Sequence, residues 1–248
     1  MRLLSEPGTV PPQTPLLRPD RYFAERDLHG GRVLLAVGIV LFSALGLAYG
    51  VGHVLTTTVD GTVLVDNPER PPEAFCDGGV DPPGFDEDAC EEPQQVERNI
   101  DPIIDRAIGE VAGYLFIGMV FVLAGFTLVV HVGSWLAGGS NGLAASFAVT
   151  VWGMTPIVVT APLALVVLST SLDPVTLDAA SDPASAFAGL EAQIQSVEWL
   201  GTLSSIVSAV WSAVIWKFGL EHRRDLTAGQ ATAVAAVTAL LLLAGGAL

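Results

Sequence analysis

Lysine is almost missing from this chain: one residue, Lys217, stands beside ten arginines. No sustained basic face exists, which argues against nucleic-acid binding. Charge of either sign is scarce, at 15% of 248 residues, where a soluble domain carries about 25%. Only two cysteines occur, Cys76 and Cys90, too few for a thiolate metal cluster. The four histidines (His29, His53, His131, His222) lie far apart and lack the spacing of a ligand set. No P-loop, dinucleotide-binding glycine pattern or nucleophile elbow is present. The expectation is therefore no metal, no cofactor and no enzymatic activity.

Long apolar runs take the place of those features. Five stretches, about 33–55, 111–135, 143–169, 199–216 and 230–248, are nearly free of ionised side chains. Crossing roughly 30 Å of hydrocarbon at 1.5 Å per residue takes about 20 apolar residues in a helix. The runs meet or approach that length. The expected fold is all-α: a polytopic membrane protein with a five-helix transmembrane bundle, 32–248, preceded by a cytoplasmic tail, 1–31. Its first partner is the lipid bilayer.

The connections differ in charge. Eight of the eleven basic residues fall in the N-terminal tail and between runs four and five. Twenty of the twenty-six acidic residues fall in or beside the two other long connections. Four crossings separate the basic segments, so both lie on one side. The positive-inside rule makes that side cytoplasmic, with the C-terminus outside. Fifteen acids against three arginines between Asp60 and Glu110 make 56–110 an acidic extracellular loop. Such a loop stays hydrated in strong brine, and with its near-absence of lysine reads as halophilic. Cys76 and Cys90 share this loop, so a disulfide is expected there. It would stabilise the loop by about 3 kcal/mol on the chain-entropy argument.

Residues 1–15 are Pro-rich and polar, read as disordered, and lack the apolar core of a signal peptide. Leu16–Arg26 carries Leu16, Leu17, Tyr22 and Phe23 beside three arginines, predicting a short helix on the cytoplasmic interface. Pro19 or Asp20 would start it. Thr56–Val59 and Thr62–Val65, split by Asp60-Gly61, predict a hairpin. Asp101 is expected to cap the second span ahead of Pro102, and Thr227 the fifth. Gly46 and Gly50, one turn apart, allow close helix contact. In the third span Gly153, Pro156 and Pro162 predict a kink. Ser204, Ser205, Ser208 and Ser212 recur at helical spacing in the fourth span; small-residue packing explains them better than an intramembrane nucleophile, which would need a base.

The order of features resembles a known family. A Pro19-Asp20-Arg21-Tyr22-Phe23 segment precedes the first span, and a long outer loop follows it. Gly138-Gly139-Ser140 joins spans two and three. Then come Val149–Pro156, with Trp152-Gly153-Met154-Thr155-Pro156 as the most specific stretch, and Trp211–Trp216 followed by Gly219-Leu220-Glu221-His222. This resembles the Yip1-domain membrane proteins, in particular their archaeal and bacterial branch. The Asp-Leu-Tyr-Gly-Pro segment of the eukaryotic relatives is absent. The resemblance implies five helices, an inside N-terminus, no known enzymatic activity and association with other membrane proteins or with itself. Two functions follow as expectations. One is a membrane scaffold whose cytoplasmic Arg18, Arg21, Arg26, Lys217, Arg223 and Arg224 touch anionic lipid or a partner, or only set orientation. The other is a small permease or channel with the Pro-kinked third helix lining its path. A polar cavity beside Pro156 would favour the permease, and tight packing there the scaffold.

Overall fold

The computed structural model describes residues 12–76, 87–179 and 183–246. Its elements in chain order are helix α1 (Pro19–Glu25), α2 (Gly30–Thr58), strand β1 (Val59–Asp66), the single turn α3 (Glu73–Cys76), a 3-10 turn (Glu87–Cys90), β2 (Gln95–Asn99), α4 (Asp101–Leu136), α5 (Leu143–Gly153), α6 (Ile157–Ser171), β3 (Val175–Leu177), α7 (Pro183–Arg224) and α8 (Ala228–Gly246). Among the described residues, five helical stretches are long and apolar enough to cross a membrane: Gly30–Thr58, Asp101–Leu136, Leu143–Ser171, Phe187–Arg224 and Ala228–Gly245. The predicted helix bundle is thus present. Its helices overrun the apolar runs because the backbone of each end is best satisfied by continuing the helix.

α7 departs most from the sequence reading. The polar stretch 173–197, read as a connection, is helical from Pro183 onward. Alanine is its commonest residue, joined by Leu190, Glu191, Gln193 and Gln195, and these propagate a helix in water as readily as apolar residues do in lipid.

The predicted hairpin at 56–65 does not form. Thr56–Thr58 complete α2, with the Thr57 hydroxyl donating to the His53 and Val54 carbonyls. β1 instead runs unbroken through Asp60-Gly61 and is the centre of a three-stranded sheet, ordered β2-β1-β3. It pairs antiparallel with β2 (Leu64 opposite Glu97) and parallel with β3 (Val59 opposite Val175). Gly61 serves close approach: its φ is +116°. A Cβ there would lie 2.9 Å from the Leu177 backbone nitrogen and nearer still to its oxygen. Val59, Ile100 and Leu177 form the small core beneath the sheet. The loop also carries the expected Cys76–Cys90 disulfide, with Cα atoms 5.6 Å apart.

Asp101 is the first residue of α4 and not its cap. Asn99 does the capping work from further back, its Oδ1 accepting the Asp101 N–H at 2.8 Å. Thr227 does cap α8. Its hydroxyl accepts from the Gln230 N–H, while Gln230 Oε1 accepts from the Thr227 N–H at 3.0 Å, a capping box.

The third span is broken, not merely kinked. α5 ends at Gly153 and α6 starts at Ile157, with Met154-Thr155-Pro156 between them in a turn. Proline removes a donor and crowds the carbonyl one turn back. Thr155 repairs part of the loss, its hydroxyl donating to the Trp152 carbonyl at 2.7 Å. Pro162 lies inside α6. Close contact in the first span falls at Gly50, against Leu165, and at Gly52, against Ile108, while Gly46 faces open space.

Candidate functional site

The buried core lies toward the arginine-rich end of the bundle. One cluster gathers Val130, Val149, Trp216, Leu220 and Leu226 with alanines of α8. The other gathers Tyr22, Phe23, Val40, Leu123, Val151, Trp152 and Ile215. Gly153 allows the two to meet: the Trp216 indole lies where a Cβ would be, and its N–H reaches the Thr150 carbonyl at 3.2 Å.

α1 is not laid on the membrane surface with its aromatic side in lipid. Tyr22 and Phe23 are buried in the bundle. Tyr22 meets the Trp152 ring at 5.0 Å and 62°. Phe23 approaches Gly219, where an added Cβ would fall 3.2 Å from the Phe23 ring and 2.8 Å from Val149. Upstream, the Trp211 N–H donates to the Leu16 carbonyl at 2.8 Å. Burying two aromatic rings outweighs their leaning on headgroups.

The basic residues singled out from sequence have different surroundings. Arg18 is exposed. Arg21 pairs with Glu25 at 2.8 Å, and Lys217 with Glu221 at 2.9 Å. Lys217 also sits 4.0 Å over the Phe218 ring. Arg26 donates to the Pro12 carbonyl at 3.3 Å, and Arg223 donates to the Arg26 carbonyl.

Arg224 is 1% exposed and forms a clasp. Its Nε donates to Ser134 Oγ at 3.0 Å, and its Nη1 to the carbonyls of Asn141 and Gly142. The Ser140 N–H returns a bond to the Arg224 carbonyl at 3.0 Å. Asn141 Nδ2 donates to the Arg223 carbonyl at 2.9 Å, and Ser140 Oγ donates to Asp225. Gln230 Nε2 closes the far side on the Ala137 carbonyl at 2.7 Å. Asn141 and Asp225 both have left-handed φ, 64° and 55°, which Asn and Asp tolerate best after glycine. The α4–α5 and α7–α8 connections are thereby one unit. The glycines and serine of 138–140 in the sequence signalled a turn, but not its binding to a loop more than eighty residues away.

His131 lies 3.2 Å from the buried Ser146 hydroxyl, bridging α4 and α5. Ser204, Ser205, Ser208 and Ser212 line a cavity of ≈450 Å³ with Pro156, Thr160 and Met154. A second, more apolar cavity of ≈450 Å³ adjoins it, sharing Leu47, Thr160, Ala164, Gly201 and Ser204.

Among the described residues outside the spans, Tyr22 is the titratable group whose burial matters most. Burial pushes its phenol up to about 12, against the pull of Arg32, Arg26 and Arg223, which favour the anion. The Glu25 carboxylate holds the Arg21 guanidinium above its usual range.

Five apolar helices, a clasped set of connections at one end and a small sheet at the other define a multi-pass integral membrane protein. Residues 15–248 match the Yip1 domain. That covers nearly the whole chain, and the protein belongs to the Yip1 family. No characterised protein and no solved structure matches it significantly.

Proposed function

We propose that this protein is a non-enzymatic membrane scaffold of the Yip1 type, with its arginine-rich end in the cytoplasm and its acidic sheet and C-terminus outside the cell. The Arg224 clasp carries the reading. It turns the most costly polar group near the bilayer into a fixed platform of backbone and side-chain bonds linking the α4–α5 and α7–α8 connections. A fixed platform suits docking of another protein. The long apolar flank of α4, with Tyr114, Phe121, Leu128 and Trp135 exposed, offers area for a second membrane protein or another copy. The positive-inside rule supports the sidedness. The lysine-poor acidic loop fits a salt-loving source.

Affinity purification from native membranes tests this. Specific proteins should co-purify with the wild type and be lost when Arg224→Met loosens the platform. Recovery of lipid alone, together with solute flux through reconstituted liposomes, would overturn the scaffold.

One observation favours the second reading, a small permease. The cavity beside Pro156 has a serine stripe on one wall and lies at the helix break between α5 and α6. Apart from Thr160, its remaining walls are apolar, which suits a neutral, weakly polar solute. Ser208→Leu would narrow it and replace one of its hydroxyls with an isobutyl group. Flux in liposomes that disappears in this variant would establish the permease, and equal flux with empty liposomes would exclude it.

A further inference from the structure

A second polar cluster at the arginine-rich end is left incomplete by the fold. The Tyr22 side chain is 0% exposed, and its hydroxyl has no hydrogen-bond partner. Arg223 Nε is also enclosed without a partner. These groups are held together by the backbone. The Arg26 N–H donates to the Tyr22 carbonyl at 3.1 Å, and Arg223 donates from Nη2 to the Arg26 carbonyl. Arg32, in the first turn of α2, is the third positive charge acting on the phenol, with Arg26 and Arg223. Arg32 and Arg223 make no ion pair among the described residues.

Two costs are built in here. A buried hydroxyl without a partner forfeits the hydrogen bond it had in water. Positive charges acting on the same buried phenol repel one another. A single kind of ligand relieves both: an oxyanion, accepting from the phenol O–H and from guanidinium N–H groups together. The depth of the cluster narrows the source. Arg32 opens one membrane-spanning helix and Arg223 closes another, which is the level at which lipid phosphates lie.

We propose that Tyr22, Arg32 and Arg223, with Arg26 at the rim, bind the phosphate of an anionic lipid headgroup. α1 then acts as a latch whose docking creates the site. The assignment rests on the arginine-rich end lying at a membrane surface. It does not depend on the scaffold or permease reading, whose tests read co-purification and flux.

Lipid binding to the full chain in detergent micelles, followed by native mass spectrometry, tests the site. Short-chain phosphatidylglycerol, the matching diacylglycerol without phosphate, and inorganic phosphate are the three probes. Phosphatidylglycerol should bind, and diacylglycerol should not. Tyr22→Phe keeps the ring against Trp152 and removes only the hydroxyl. It should weaken phosphatidylglycerol about 10-fold, while leaving the lipid-free protein at least as heat-stable as the wild type. Arg223→Gln should weaken it by at least as much. A structural role for the hydroxyl alone would instead lower the stability of lipid-free Tyr22→Phe. Unchanged affinity in both variants, or equal binding of diacylglycerol, overturns the site. Inorganic phosphate binding as tightly as the lipid overturns the lipid as its occupant.

Discussion

Gly153→Ala is the sharpest test of how the bundle is held together. The new methyl would lie 2.6 Å from Trp216 Cε2, and nearer still to Nε1 and Cδ1. The indole has nowhere to go. It is 0% exposed, stacked on Phe126 with ring centres 6.2 Å apart, and hydrogen-bonded to the Thr150 carbonyl. Overpacking of this kind costs about 1–3 kcal/mol. Displacing the indole removes the bond to Thr150, about 1 kcal/mol more. The better helix propensity of alanine returns less than about 1 kcal/mol, and little of that at the last residue of a helix. The net is a loss of roughly 2–4 kcal/mol, or a fall in Tm on the order of 5–15 °C for a chain of this size. Thermal unfolding in detergent, followed by tryptophan fluorescence and light scattering, would measure it. Gly46→Ala is the control, since its added methyl meets open space. Trp216→Phe should cost stability alone yet soften the Gly153→Ala penalty, because the smaller ring makes room. The reasoning fails if Gly153→Ala matches Gly46→Ala in Tm.

Arg224→Lys should destabilise the protein by more than about 2 kcal/mol, because one ammonium cannot replace the fork that reaches Ser134 and the Asn141 and Gly142 carbonyls. Limited proteolysis should then cut at 138–142 first. Between pH 10 and 12 the fold should lose stability. The Tyr22 phenol is raised from its ordinary value of 10 to about 12, so below pH 10 both states keep the proton and no stability is lost, while from pH 10 to 12 the unfolded chain ionises first and stability falls. Tyr22→Phe should flatten that part of a Tm-versus-pH curve. Reducing the Cys76–Cys90 disulfide should loosen the acidic loop by about 3 kcal/mol. Hydrogen exchange should speed up in 59–76 and 87–100 while the apolar helices stay protected.

The bundle was readable because lipid imposes a one-dimensional rule: a helix crosses only if a long enough run of residues is apolar. The break at Met154–Pro156 was visible through Pro156. The capping of α8 by Thr227 was visible too, since both depend on neighbours in sequence. The site was read less well. Arg18, Arg21, Arg26, Lys217, Arg223 and Arg224 look alike as charges in a tail or connection. Their fates diverge only when α1 docks and the connections meet. Then Arg224 is enclosed, Lys217 pairs along its own helix, and Arg223 turns to the end of α1. Asp60-Gly61 misled for the same reason: the positive φ of Gly61 answers Leu177 on a distant strand, not a local turn.

By itself the chain determined its solvent, its number of crossings and which ends carry arginine, because apolar length and charge asymmetry act before any two helices touch. Tertiary structure alone decided which arginine became a clasp, why Tyr22 lost contact with water, and that the serines of α7 would face a cavity. Those outcomes depend on helices far apart in sequence arriving side by side, and on which polar groups still lack a partner once they have.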